Sequence, residues 1–221
     1  MFNNLVVAAQ QYFPKLQIKY KNNSFIMKIL SVIMFFNKGF MTTYVNTFGS
    51  SIYYPSQQYI IDNPIDSEIV LLHELVHMYD VKKKGTIVYT LLYGFPQILV
   101  LLCVPLFFFF WKIALAITIV LLLPLPAYFR MNFEKRAYLC SLYALNCYSK
   151  KNNINNVDLQ NIIDLNKDSF CKEFNGSSYY YMWIFNSIKN DFDKGANLIK
   201  AGMRPYSDPV FDMIDDLLSK T

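Results

Sequence analysis

Apolar residues recur at spacings of three and four through Ile69, Leu72 and Val76, and His73 and His77 fall on the same rhythm. That period predicts an amphipathic helix over about 67–83. Asp66 or Ser67, after Asn63-Pro64, is the expected N-cap. Lys82, Lys83 and Lys84 suit the negative end of the helix dipole, and Gly85 ends the helix. A different pattern follows. From Gly85 to Phe129 the only charged residue is Lys112. Gly94, Pro96, Gln97 and Pro105 interrupt the stretch before Trp111, and Pro124 and Pro126 close the stretch after Lys112. The pattern predicts a helical hairpin with Trp111-Lys112 at its tip. A re-entrant hairpin and a single kinked helix over 97–123 fit the same residues.

Elsewhere the periods are shorter. Leu16 to Tyr20 alternates as a strand does. Thr42–Val45 and Ser51–Tyr54 are β-rich runs separated by Asn46–Ser50, which predicts a hairpin with a glycine turn. Further helices are expected over 4–13, 25–36 (capped by Ser24), 134–150 and 157–174. An aromatic helix capped by Ser177 or Ser178 should follow, then a last one from Ser207-Asp208-Pro209 to about Ser219. The fold class is α+β, mostly α. Residues 1–84 form an N-terminal part, 85–129 the apolar hairpin, and 130–221 a helical C-terminal part.

Composition sharpens this picture. The chain has 221 residues, 54% of them hydrophobic, with 19 Phe and 17 Tyr. Charged residues make up 17%, below the soluble average of about 25%, which points toward a membrane. The net charge is +5, but the lysines are spread out and alternate with no aromatic pattern, so no nucleic-acid partner is expected. Cys103, Cys140, Cys147 and Cys171 form no C-x-x-C pair and read as reduced thiols in a reducing compartment. The N-terminal residues show neither a basic nor a long apolar region of secretory type.

The candidate chemistry lies in His73-Glu74-Leu75-Val76-His77, an H-E-x-x-H motif that holds both histidines of the chain. Residues four apart share a helix face, which lets two imidazoles bind one zinc ion. Glu74 beside them is the candidate general base toward a zinc-bound water. With no third histidine, H-E-x-x-H-x-x-G-x-x-H chemistry is excluded, and a third ligand must be a carboxylate or a thiolate. Glu134 is the best-placed candidate. Tyr138, Arg136 and the tyrosines from Tyr179 to Tyr181 are candidates to stabilise an oxyanion. Asp80, one turn past His77, is a candidate partner for a ligating imidazole.

H-E-x-x-H followed downstream by Glu134-x-x-Ala137 resembles the gluzincin metallopeptidases. It most resembles the membrane-bound HtpX and CAAX-prenyl-protease type, in which the second motif follows a pair of apolar helices. Tyr138 stands where that family has Asp. The resemblance spans about 67–142 and rests on short motifs; more loosely the arrangement looks like small phage-encoded zincin-like proteins. It implies a zincin-like fold, zinc as cofactor, His73, His77 and Glu134 as ligands, and peptide-bond hydrolysis. It also implies a small sheet before the active helix whose edge strand holds a peptide or protein substrate.

Position along the chain ties motif to hairpin. His73 and His77 precede the apolar stretch and Glu134 follows it, so one zinc can join them only if the chain crosses a membrane an even number of times. Lysines before the stretch, and Arg130, Lys135 and Arg136 after it, favour the cytoplasmic side for both ends. The expectation is a membrane-anchored peptidase whose zinc site faces the cytoplasm. The alternatives are a non-enzymatic zincin-like structural or virion protein with a structural zinc, its hairpin buried in an assembly, and a membrane-inserting protein.

Overall fold

The computed structural model describes residues 2–33, 37–176, 179, 181–183 and 185–220. The chain opens with α1 (Phe2–Tyr12), β1 (Gln17–Tyr20) and a 3-10 turn at Lys21–Asn23, then α2 (Phe25–Ile33). A hairpin of β2 (Asn46–Phe48) and β3 (Ser51–Tyr54) leads through α3 (Gln57–Asp62) into α4 (Pro64–Lys84). The apolar stretch forms α5 (Thr86–Gly94), a 3-10 segment (Gln97–Leu102), α6 (Cys103–Phe109) and α7 (Trp111–Leu121). Then come α8 (Tyr128–Lys151), α9 (Asn156–Phe174), α10 (Ser187–Lys200) and α11 (Pro209–Ser219). The fold is thus mostly helical, with one small mixed sheet of order β1-β3-β2 in which β1 runs parallel and β2 antiparallel to β3.

α4 and α8 form the centre. Each is long and buried on several faces, so neither is strongly amphipathic. Leu71, Leu72, Leu75 and Val76 of α4 pack with Ala137, Cys140 and Ala144 of α8, joined by α1, α11 and Ile52 and Tyr54 of the sheet. A second core lies on the other side of α8, where Leu139 and Leu142 meet Leu159 and Ile163 of α9 and Phe192 and Ile199 of α10.

Several boundaries differ from the sequence expectation. α4 begins at Pro64, with Asn63 as the capping position; Asp66 lies in the first turn, and Ser67 is buried inside the helix. Proline suits the first helical position because its missing N–H would have no partner there. Gly85 ends α4 as expected, at a φ of 84°, a conformation glycine adopts without steric cost. The first strand of the hairpin is Asn46–Phe48, later than the Thr42–Val45 run. Two causes combine. A two-residue turn at Gly49-Ser50 (Gly49 φ 62°) pairs Phe48 with Ser51 and fixes the register. The buried Lys21 ammonium donates to the Phe40 and Tyr44 carbonyls and to Asn46 Oδ1. It thereby holds the preceding residues in turns, in which the Thr42, Thr43 and Tyr44 amides all donate to Gly39 O.

α8 starts at Tyr128, so Glu134 lies in its second turn. α2 ends at Ile33 among the described residues, and Phe36, the expected end, lies outside them. So do Ser177 and Ser178; of the aromatic run that follows, Tyr179 is in a 3-10 turn and 181–183 are irregular, and α10 begins only at Ser187. α11 is capped by Asp208, whose carboxylate accepts from the Val210 amide. All four cysteines are free.

The apolar stretch divides in two. α6 and α7 fold back on each other about Phe110, and Gln97 Nε2 donates to Leu125 O across the base of this hairpin. α5 is not part of it. It bends 97° away from the segment that follows and packs on α4 and α8. Among the described residues no single helix is long and apolar enough to cross a membrane. The hairpin is almost wholly exposed, with Phe108 at 82% and Phe109 at 80%.

One ion-pair cluster ties the centre together. Arg136 on α8 pairs with Asp80 on α4, and with Asp208 at the start of α11 at 3.1 Å. Arg136→Met would leave the buried Asp80 carboxylate without its cation, which costs about 3–5 kcal/mol. A urea-melt difference under about 1 kcal/mol would contradict that role.

Candidate metal centre

α4 and α8 bring the three expected ligands together. His73 and His77, one turn apart on α4, point their Nε2 atoms at each other at 3.3 Å. Glu134 on α8 closes the triangle, with Oε2 at 3.5 Å from His73 Nε2 and Oε1 at 3.5 Å from His77 Nε2. All three residues are buried, and they form the one metal-competent cluster among the described residues.

The outer nitrogens are held from behind. His73 Nδ1 lies 3.3 Å from Ser141 Oγ, whose own proton goes to Ala137 O. Ser141 therefore accepts from Nδ1–H, and that tautomer leaves the His73 Nε2 lone pair aimed at the centre. His77 Nδ1 lies 3.1 Å from the Tyr89 hydroxyl on α5. Two tyrosines serve Glu134: Tyr93 donates to Oε1 at 2.6 Å and Tyr179 to Oε2 at 3.1 Å.

Tyr138 sits one layer out. Its ring meets His73 edge-on at 4.7 Å between centroids, and its hydroxyl is 2.8 Å from that of Tyr179. Tyr179 spends its proton on Glu134, so Tyr138 donates to Tyr179. Burial pushes both tyrosines well above their usual pKa, and the Glu134 charge adds to it; both remain donors. Arg136 and Asp80 are paired with each other, and Asp80 is not part of the cluster. Tyr181 is half exposed, and Tyr180 lies outside the described residues.

Glu74 stands beside the triangle without joining it. Its Oε2 accepts from Thr47 Oγ at 2.6 Å, which ties it to β2, an edge strand of the sheet. Lys21 is a nearby positive charge whose pKa burial lowers to about 8, against the pull of Glu74. Burial pushes His77 down, but the Glu134 carboxylate outweighs it and holds the pKa at about 9. Burial opposes the charge on Glu134 in turn, and the two imidazoles overcome that, keeping its pKa well below the ordinary value.

Sequence reasoning missed Thr47, Lys21, Tyr89 and Tyr93 as residues of this region. A signal existed for the last two, since they are spaced i, i+4 in a run otherwise almost devoid of polar groups. Compared with family models, with curated proteins and with solved structures, the chain matches none.

Proposed function

We propose that this chain is a zinc-dependent metallopeptidase of gluzincin type, anchored to a membrane by its apolar hairpin with the zinc site facing the cytoplasm. The ligand triangle carries the reading. Zinc–nitrogen bonds of about 2.0–2.1 Å at tetrahedral angles place ligand atoms about 3.3–3.4 Å apart; the edges here are 3.3, 3.5 and 3.5 Å. Two imidazole nitrogens and a carboxylate oxygen converging in this way can hold a metal cation between them. Neither Cys140 nor Asp80 belongs to the cluster, so three protein ligands leave a fourth position for water, the arrangement of catalytic zinc.

Bound there, zinc supplies a Lewis acid that polarises a carbonyl and lowers the pKa of its water toward about 7. Glu74, oriented by Thr47, takes the proton of the attacking water and passes it to the leaving amine. The exposed side of β2 offers backbone groups to an extended peptide, in keeping with a zincin-like edge strand beside the active helix. Tyr138 and Tyr179 form a hydroxyl chain that ends on Glu134 and holds that carboxylate in place. The exposed aromatic tip of the hairpin supports lipid contact. Its arms of 13 and 11 residues reach roughly 20 Å, short of the roughly 30 Å hydrocarbon core, which favours re-entry from one face. Such a hairpin returns the chain to the side it left, as the shared site requires.

Burial of every ligand favours a second reading, in which the zinc only staples α4 to α8. One experiment separates the two. The chain purified in detergent should carry one zinc and cleave unfolded casein, with cleavage abolished by a chelator. Zinc without cleavage supports the staple; absence of zinc defeats both.

Proton linkage gives a further check. The folded pKa of His77 lies above its unfolded value, so the stability from its charged pairing is complete below about pH 6.5 and is lost as pH rises through about 9. At pH 7 the metal must displace that proton. Calorimetry in buffers of different ionisation enthalpy should register close to one proton released per zinc. Zero release would show that His77 is neutral before binding.

A further inference from the structure

We propose that α5 is a working part of the metal centre, with Tyr89 and Tyr93 as positioning residues that each hold one ligand, on α4 and on α8 respectively. The inference rests on the metal reading above and assigns a role to the apolar segment beyond anchoring.

Three observations carry it. The two tyrosines are four residues apart, so they share one face of α5, and their rings stack with centroids 5.6 Å apart. Each hydroxyl ends on a ligand side chain: Tyr89 at His77 Nδ1, 3.1 Å, and Tyr93 at Glu134 Oε1, 2.6 Å. The rings are wedged between the ligand helices, Tyr89 at 4.8 Å from Phe133 on α8 and Tyr93 edge-on to His77 on α4 at 6.3 Å.

The rest of α5 does not explain its position. None of its nine residues is fully buried, and Ile87, Val88 and Leu91 face outward. It is entered through Gly85 in a positive-φ conformation and left through a 97° bend. A helix this short is marginal on its own, so its seat depends on the face it presents inward. That face is the tyrosine pair. With Nδ1–H of His77 donated to Tyr89, the Nε2 lone pair points at the centre, as Ser141 arranges for His73. With Oε1 of Glu134 held by Tyr93, the carboxylate is fixed in rotation between the two imidazoles.

The test compares the wild-type chain with Tyr89→Phe, Tyr93→Phe and a control, Tyr128→Phe, which alters an exposed tyrosine that touches no ligand. Zinc affinity is read by competition with a chromophoric chelator, and geometry from the visible bands of the Co²⁺-loaded protein. Each of the first two variants should bind zinc about 10- to 100-fold more weakly and shift the cobalt bands, the usual effect of losing an outer partner of a ligand. The control should do neither. A purely structural role for the hydroxyls would lower the melting temperature of the metal-free protein and leave the cobalt bands in place. The proposal is overturned if both phenylalanine variants keep wild-type cobalt bands and a zinc affinity within about threefold of the wild type, well short of that range. The two variants break different contacts, so one that folds suffices. Failure of the metal reading looks different: the wild type itself then takes up neither ion, and this inference falls with it.

Discussion

Glu134→Ala is expected to strip the protein of its zinc. In the proposed site the two imidazoles come from one helix and are neutral when they bind, so among the described residues Glu134 is both the only ligand from a second helix and the only anionic one. Losing a mere outer partner of a ligand costs about 10- to 100-fold in metal affinity. Losing a ligand with its charge should exceed about 100-fold, enough to leave the protein nearly empty after dialysis against micromolar chelator. Stability should suffer as well. The Tyr93 and Tyr179 hydroxyls would lose a common acceptor in a buried place, at about 1–3 kcal/mol for each donor left unsatisfied. The His77 pKa should fall too, because Glu134 is what holds it up against burial. Elemental analysis after dialysis decides the matter. One zinc per chain retained in Glu134→Ala would remove α8 from the site and leave the helix pair without a common ion.

Glu74→Gln should act in the opposite sense, keeping the metal and losing the reaction. Glu74 is not one of the converging ligands, and its carboxylate is occupied by the Thr47 hydroxyl. Glutamine has the same shape, and its carbonyl can still accept from Thr47, so neither packing nor ligand geometry should change. What disappears is the group able to accept a proton from water. General-base catalysis contributes roughly 10²- to 10⁴-fold, and casein cleavage should drop by that factor at unchanged zinc content. Cleavage at the wild-type rate would refute Glu74 as the base, whatever the metal does. Together the two variants separate binding from chemistry.

The H-E-x-x-H spacing by itself places both histidines on one helix face, because a four-residue interval on an α-helix permits nothing else. The stop at Gly85, the helix start at Ser207-Asp208-Pro209 and the low charge of 85–129 were equally legible, since each depends on local backbone sterics or on composition. Glu134 could be named as a candidate, but its position could not be derived. It stands near both imidazoles only because α4 and α8 pack along their length and the intervening chain returns to its starting side.

Where local preference met a tertiary tie, the tie prevailed. Thr42–Val45 has strand-forming residues, yet the Lys21 ammonium holds that segment by its carbonyls, and the strand forms at Asn46–Phe48 instead. α5 reads as one arm of a hairpin on hydropathy alone. A 97° bend separates it from the hairpin and it lies against His77 and Glu134 instead, and hydropathy carries no information about direction. The sequence by itself determined the helix that carries both histidines, the residue types able to bind a metal and the apolar stretch, because spacing and composition act locally. The tertiary structure alone decided which acid faces the histidines, which tyrosines bond to His77 and Glu134 and which strand meets Glu74. The contacts that fix these choices join residues from 12 positions apart (Tyr89 and His77) to 61 apart (His73 and Glu134), and only the packing of helix on helix and sheet on helix sets them.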